Sequence, residues 1–244
     1  MRTLTFTALT VLILIGCARE NREDCFTSTG SESTEVRVMP PFTSILAEDR
    51  VNITVRRDSA FYTEVIHGEN MLQHVHTEVR DGELQIGYGA RCNWVRDLGR
   101  RPLVVISAPS FERFENRGTG DIDFADSLRT AHFTYEEFTA NGKVNILLDT
   151  ESAEILQHTG RTDLRISGRT ESAGLYSAGQ GKFDASELRA RFANVNNSTF
   201  QDMRVRAAEY LYAFIGERGN ICYFGDPDLI EREISGSGTV APCE

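Results

Sequence analysis

Between Gly118 and Val240 the chain repeats one pattern of apolar and polar positions. Short apolar segments start at Ile122, Val144, Leu164, Phe183, Met203, Ile221 and Val240, with successive spacings of 22, 20, 19, 20, 18 and 19 residues. Most have an apolar partner two residues on, as in Phe124, Ile146, Ile166, Val205 and Tyr223. A second stripe, Ile155, Leu175, Val195, Ile215 and Ile234, runs at spacings of 20, 20, 20 and 19. Residues two apart face the same side of a strand, and residues one repeat apart stack on the neighbouring turn. Small turn-forming clusters such as Gly118-Thr119-Gly120, Asn141-Gly142, Gly219-Asn220 and Ser235-Gly236-Ser237-Gly238 punctuate the pattern. They leave little room for regular helices, and a fixed period near 20 marks a stacked repeat. The pattern predicts an all-β chain: a single-stranded parallel β-helix-like solenoid with rungs of ~20 residues, over residues 111–244.

Residues 36–110 read as strands and turns without the tight period, and are expected to form irregular rungs that cap the open N-terminal end of the stack. Val51, Ile53 and Val55 alternate with polar neighbours, as do Val75, Thr77 and Val79. Asp81-Gly82 then turns the chain into Leu84, Ile86 and Tyr88, a hairpin signal.

The first residues follow another logic. Arg2 precedes a 12-residue apolar run from Leu4 to Ile15, too short to cross a bilayer core of about 30 Å comfortably but suited to a signal peptide. The run closes on Leu14-Ile15-Gly16-Cys17, which resembles the lipobox of bacterial lipoproteins. That resemblance implies removal of residues 1–16 and acylation of Cys17. Residues 17–35, charged and then rich in Thr, Ser and Gly, read as a tether between lipid and a solenoid domain spanning 36–244.

Composition changes the picture in two ways. The formal charge is −10, and 24 of the 26 basic residues are arginine, Lys143 and Lys182 being the exceptions. So acidic a chain repels phosphate backbones, and nucleic acid is not an expected partner. Besides Cys17 there are four cysteines, Cys25, Cys92, Cys222 and Cys243. In an exported protein an even number favours disulfides over metal ligation. Four cysteines allow three connectivities, and the favoured one is Cys25–Cys92 with Cys222–Cys243. Positions 222 and 243 lie 21 apart, one rung, so their separation is close to the strand spacing of ~4.8 Å that a disulfide can bridge.

Gly118-Thr119-Gly120-Asp121-Ile122, Gly219-Asn220-Ile221-Cys222-Tyr223-Phe224-Gly225-Asp226-Pro227 and Ile234-Ser235-Gly236-Ser237-Gly238 resemble the repeated motifs of the head GIN domain family of auto-transporter adhesins. The likeness runs from about Phe42 to the C-terminus and includes Gly82-x-Leu84-x-Ile86. It departs from the family's glycine pattern at Asn196-Asn197-Ser198-Thr199 and Asn141-Gly142. The resemblance implies a β-helix-like solenoid, a bacterial lipoprotein and no established catalytic residues.

No catalytic motif, cofactor loop or metal site stands out. Gly118-x-Gly-Asp is a fragment of a calcium-binding repeat, but the column beginning at Asp121 continues with Lys143, Asp163, Lys182 and Asp202, and two lysines oppose a cation ladder. His74 and His76 would share a strand face, with no third ligand identified. Glu136-Glu137, Asp121/Asp123 and Asp226/Asp228 are ordinary corner carboxylates, while Arg161, Arg165 and Arg169 within one rung could hold an anionic sugar. The expected function is therefore a lipid-anchored, non-catalytic binding, adhesion or structural module of the bacterial envelope, placed at the outer membrane. Its partners would be the membrane, through Cys17, and a glycan or protein ligand on the solenoid's sides. The alternative is a carbohydrate-active enzyme on a similar scaffold.

Overall fold

The computed structural model describes residues 28–89 and 100–243. In chain order they form β1 (Glu32–Val38), β2 (Ser44–Ala47), β3 (Asn52–Arg57), β4 (Tyr62–Gly68), a 3-10 segment (Glu69–His74), β5 (Val75–Arg80), β6 (Glu83–Tyr88) and β7 (Leu103–Ala108). The repeats supply β8 (Arg113–Asn116), β9 (Ile122–Phe124), β10 (Leu128–Glu137), β11 (Lys143–Gln157), β12 (Asp163–Ser177), β13 (Phe183–Asn197), β14 (Met203–Ile215), β15 (Ile221–Phe224), β16 (Leu229–Ile234) and β17 (Val240–Pro242). The result is a β-solenoid of about six turns with ~20-residue spacing. β11, β12 and β13 are each 15 residues long, so one strand wraps most of a turn and a single corner closes it.

The first apolar stripe forms the interior as the spacing predicts. Ile122 pairs with Val144, Val144 with Leu164, Leu164 with Phe183, Phe183 with Met203, Met203 with Ile221 and Ile221 with Val240, all in parallel register. All but Val240 are buried. At the N-terminal end the interior is aromatic, with Phe111, Phe114, Phe124 and Phe133 meeting at ring-centroid distances of 6.0–6.4 Å. Further along, the inward column narrows to Ala153, Ala173 and Ala193.

The second stripe holds only through Val195. Ile155 stacks on Leu175 and Leu175 on Val195, but Val195 stacks on Ala213 while Ile215 lies against Asn197. The slip has a local cause. Between the pairs Asp184/Arg204 and Ala190/Ala207, five residues of β13 (185–189) oppose two of β14, and one residue is given back before Phe192/Tyr210. The rung spacing falls from 20 to 18 across that bulge, so a fixed count of 20 overshoots by two.

Ile215 thereby lands at the end of a column that is polar rather than apolar. Asn116, Glu137, Gln157, Ser177 and Asn197 stack in register and are all at most 1% exposed. Buried polar groups demand partners, and this column finds many of them beside the corners. Gln157 Nε2 donates to Thr162 O (2.8 Å), Ser177 Oγ donates to Gln157 Oε1 (2.7 Å), and Asn197 Nδ2 donates to Gln201 O and Asn220 O (2.9 and 3.0 Å).

On the outside of the corner a second set of polar contacts staples the rungs. Asp121 Oδ1 accepts the Lys143 N–H (2.8 Å), Asp163 Oδ1 that of Lys182 (3.0 Å), Asp202 Oδ1 that of Asn220 (2.8 Å), and Asn220 Oδ1 that of Thr239 (2.9 Å). The column whose lysines opposed a calcium ladder therefore works through backbone amides.

The N-terminal cap departs from simple stacking. Parallel partners of β2 are β6 on one edge and β8 on the other, and β3 lies likewise between β7 and β9. A rung met early in the chain is thus sandwiched between two that come later. β4 runs antiparallel to both β1 and β7, and β5 antiparallel to β6. The β5–β6 turn is the expected one, with Asp81 at φ 51° and Gly82 at φ 79°, the conformation an Asp-Gly hairpin turn requires. β1 begins at Glu32, so the last four residues of the stretch read as tether, 32–35, belong to the cap.

Candidate functional site

A concave surface of about 720 Å³ opens on the side of the solenoid formed by the first halves of β11, β12 and β13. Strand alternation decides what it shows. Ile146, Ile166 and Leu188 point into the core, while Asn145, Leu147, Asp149, Arg165, Ser167, Arg169, Glu187 and Arg189 alternate outward. A flat solenoid side would not be concave, and two irregularities make it so. Opposite the single residue Ile166, β13 carries two, Ala185 and Ser186, and this bulge together with the longer one toward β14 raises Glu187 and Arg189 as a wall. Gly168, at φ +104°, lines the floor, and a Cβ there would lie 2.0 Å from Leu148 O. Asp184 Oδ1 holds the bulge by accepting the Ser186 N–H (3.1 Å) and hydroxyl (2.5 Å).

The charges are unevenly paired. Asp149 Oδ1 and Oδ2 accept Arg169 Nε (2.6 Å) and the guanidinium NH2 (3.0 Å), and Arg129 Nε lies 3.3 Å from Oδ2. The hydrogen bond from Arg169, helped by the charges of Arg169, Arg129 and Arg57, holds the Asp149 carboxyl below the usual range. Asp149 therefore stays ionised and orients arginines. Arg165 and Arg189 have no ion-pair partner among the described residues. Three arginines against Asp149 and Glu187 give the groove a formal charge of 3 − 2 = +1 in a chain of net −10.

Of the arginines singled out in one rung, the structure brings Arg165 and Arg169 together and leaves Arg161 exposed outside the groove. It adds Arg189, which the sequence reading missed. The signal was present: Arg129, Asp149, Arg169 and Arg189 follow one another at intervals of 20 and stack in register.

The remaining candidates separate. His74 ends the 3-10 segment and His76 lies in β5, so they do not share a strand face. Among the described residues, no group of three or more His, Cys, Asp or Glu is placed to hold a metal ion. Within Glu136-Glu137, alternation turns Glu136 out to Arg113 (2.7 Å) and His158 (3.0 Å) and Glu137 into the core. Cys222 and Cys243 form a disulfide with Cα atoms 5.1 Å apart. Cys17, Cys25 and Cys92 lie outside the described residues, as do residues 1–16, read as a signal peptide, and most of 17–35, read as a tether. No helix among the described residues is long and apolar enough to cross a membrane.

Comparison with known proteins adds a family and a fold. The profile of the family described as putative auto-transporter adhesin, head GIN domain, matches residues 41–227. A search of curated proteins finds no match. Among solved structures, a putative adhesin from Bacteroides fragilis superposes with a TM-score of 0.78 at 21% identity, covering 87% of this chain and 97% of that one. A putative lipid binding protein and a putative adhesin, both from Parabacteroides distasonis, each superpose with a TM-score of 0.64, at 20% and 18% identity. They cover 89% and 88% of this chain and 98% of their own. At such identities the likeness is one of fold.

Proposed function

Because the chain belongs to the head GIN domain family of putative auto-transporter adhesins, we propose that it is a non-catalytic binding module held at the bacterial cell envelope by lipid on Cys17. The observation that carries the binding half is the groove, an outward-facing concavity with unpaired arginines on an otherwise regular scaffold. The non-catalytic half draws support from how the carboxylates divide. A carboxyl acts as a general acid near neutral pH when its pKa is raised and it lies within reach of a substrate. Among the described carboxyls, the one that burial pushes up to about 7, Glu137, is sealed in the core, while Asp149 in the groove is held ionised by arginine.

The anchor half rests on Leu14-Ile15-Gly16-Cys17 and the polar stretch behind it. Several acyl chains, each buried methylene contributing roughly 0.8 kcal/mol, hold a water-facing domain stably at a bilayer. Metabolic labelling with a radioactive fatty acid tests it. Label should enter the wild-type chain and be absent from Cys17→Ser, which should also leave the membrane fraction. Equal labelling of both chains would overturn the anchor.

A further inference from the structure

We infer that the groove between β11 and β13 takes a linear polysaccharide bearing carboxylate or sulfate groups, with Arg165 and Arg189 as its anion-binding residues. This rests on the reading of the protein as a binding module and gives that module a ligand class. Arg165 and Arg169 stand four residues apart on β12, a span of at most ~13 Å, and Arg169 and Arg189 are register partners on neighbouring strands ~4.8 Å apart. Cationic positions distributed this way suit a polymer with charges at intervals. The guanidinium fork matches planar carboxylate and tetrahedral sulfate oxygens and presents two N–H groups at once.

The rest of the lining suits sugar. Asn145 and Ser167 already donate to Asp123 Oδ1 (3.1 Å) and Ile146 O (3.3 Å) and so present acceptor oxygens to sugar hydroxyls, Ser127 adds a hydroxyl, and half-buried Leu147 gives an apolar patch for a ring face. Gly168, whose Cβ would strike the Leu148 backbone, lets β12 lie close against β11 beneath the groove. Asp149 is not a repulsive element facing the ligand, because two arginines already occupy it and it sets the direction of Arg169. Glu187, on the wall beside Arg189, is the one groove carboxylate without an ion-pair partner among the described residues. Its negative charge repels a polyanion and lowers affinity. Among the described residues the exposed large apolar side chains, Val36, Val38, Phe200, Leu229 and Ile234, lie outside the groove lining, which does not favour a lipid tail.

The test uses the full chain in detergent micelles and four polymers: polygalacturonate, dextran sulfate, neutral dextran and poly-glutamate. Calorimetric titration should show polygalacturonate or dextran sulfate binding, weaker as salt rises, and neutral dextran not binding. The double variant Arg165→Ala/Arg189→Ala should lose at least tenfold in affinity, while Glu187→Gln should gain and Lys182→Ala, on the corner, should be unchanged. All four substitutions are at exposed positions, and unchanged melting of the variants checks that they fold. No binding of either acidic glycan overturns the inference, as does binding that the double variant leaves intact. Poly-glutamate binding with the same arginine dependence, in the absence of glycan binding, would make the groove a site for acidic protein segments instead. The anchor stands or falls separately, on the labelling of Cys17→Ser. A glycan bound equally well by the double variant would leave a binding module with its site elsewhere.

Discussion

Glu137 shows how much one residue's environment decides here. Its Oε2 accepts the Tyr135 hydroxyl (2.9 Å), which in turn accepts Asn116 Nδ2 (3.0 Å), and Gly160 supplies the space beside its other oxygen. Burial outweighs these contacts and pushes the carboxyl up to about 7 from 4.5. The folded state thus binds a proton that the unfolded state has released between about pH 4.5 and 7. Stability conferred by this site is therefore present at the acidic end of that window and lost as pH rises through it, on the order of 3 kcal/mol in all. Glu137→Gln keeps the shape and removes the charge, so it should raise the melting temperature above pH 7 and flatten the slope between pH 5 and 7. Denaturant titrations of both proteins across that range check it; an unchanged slope would exclude Glu137 as its source. In the sequence, Glu136-Glu137 looked like a pair of corner carboxylates. Alternation alone separates them, but only once the strand is known to run through Glu137 rather than to stop before it.

At the scale of the element, the rung corner is set by how closely successive turns approach. A Cβ on Gly181 would stand 2.0 Å from Thr162 O, a backbone atom of the turn below, whereas one on Gly174 meets nothing nearer than Glu154 Cγ at 3.6 Å. The two glycines lie seven residues apart on one turn and should respond oppositely. Gly181→Ala should cost about 1–3 kcal/mol, the usual range for forced overpacking. Gly174→Ala should be neutral or stabilising, because a glycine inside a strand carries an entropic cost of roughly 0.5–1 kcal/mol. Equilibrium unfolding of the pair decides it, and equal losses would mean that corner stacking is not what Gly181 serves. The corners and the first apolar stripe were legible in the sequence because both follow from a fixed count. The β13 bulge was not. A bulge changes the count locally without any distinctive residue, so Ile215 was assigned to the apolar stripe when it closes the polar column. The groove inherits the same blindness, since its wall is the bulge.

For the whole molecule, the two ends are finished differently. Among the described residues the C-terminal turn pairs only inward: β16 lies on β14 and β17 on β15, with Leu229 and Ile234 left about half exposed. The Cys222–Cys243 bond closes that turn over 21 residues. Loop-closure entropy makes such a bond worth up to about 3 kcal/mol. Reduction, or Cys222→Ser with Cys243→Ser, should therefore raise hydrogen exchange from residue 225 onward while leaving β11–β13 protected. Uniform loss of protection would instead mean that the stack opens as one unit. The favoured pairing at this end followed from rung arithmetic, because one turn of a solenoid is a ruler. The N-terminal end offered no such ruler: its strands reach their partners out of chain order, and local alternation does not say which strand lies beside which.

That nesting also governs how the molecule bears load. Of the described strands, tension applied at the N-terminal side reaches β1 first, and among the described residues only its edge on β4 carries a full ladder. The next strand is β2, clamped along its whole length by β6 on one flank and β8 on the other. Drawing it out requires breaking two ladders together, one of them belonging to the regular stack. A pull from this side is therefore passed into the body of the solenoid rather than peeling it turn by turn, and the early rung works as a rivet.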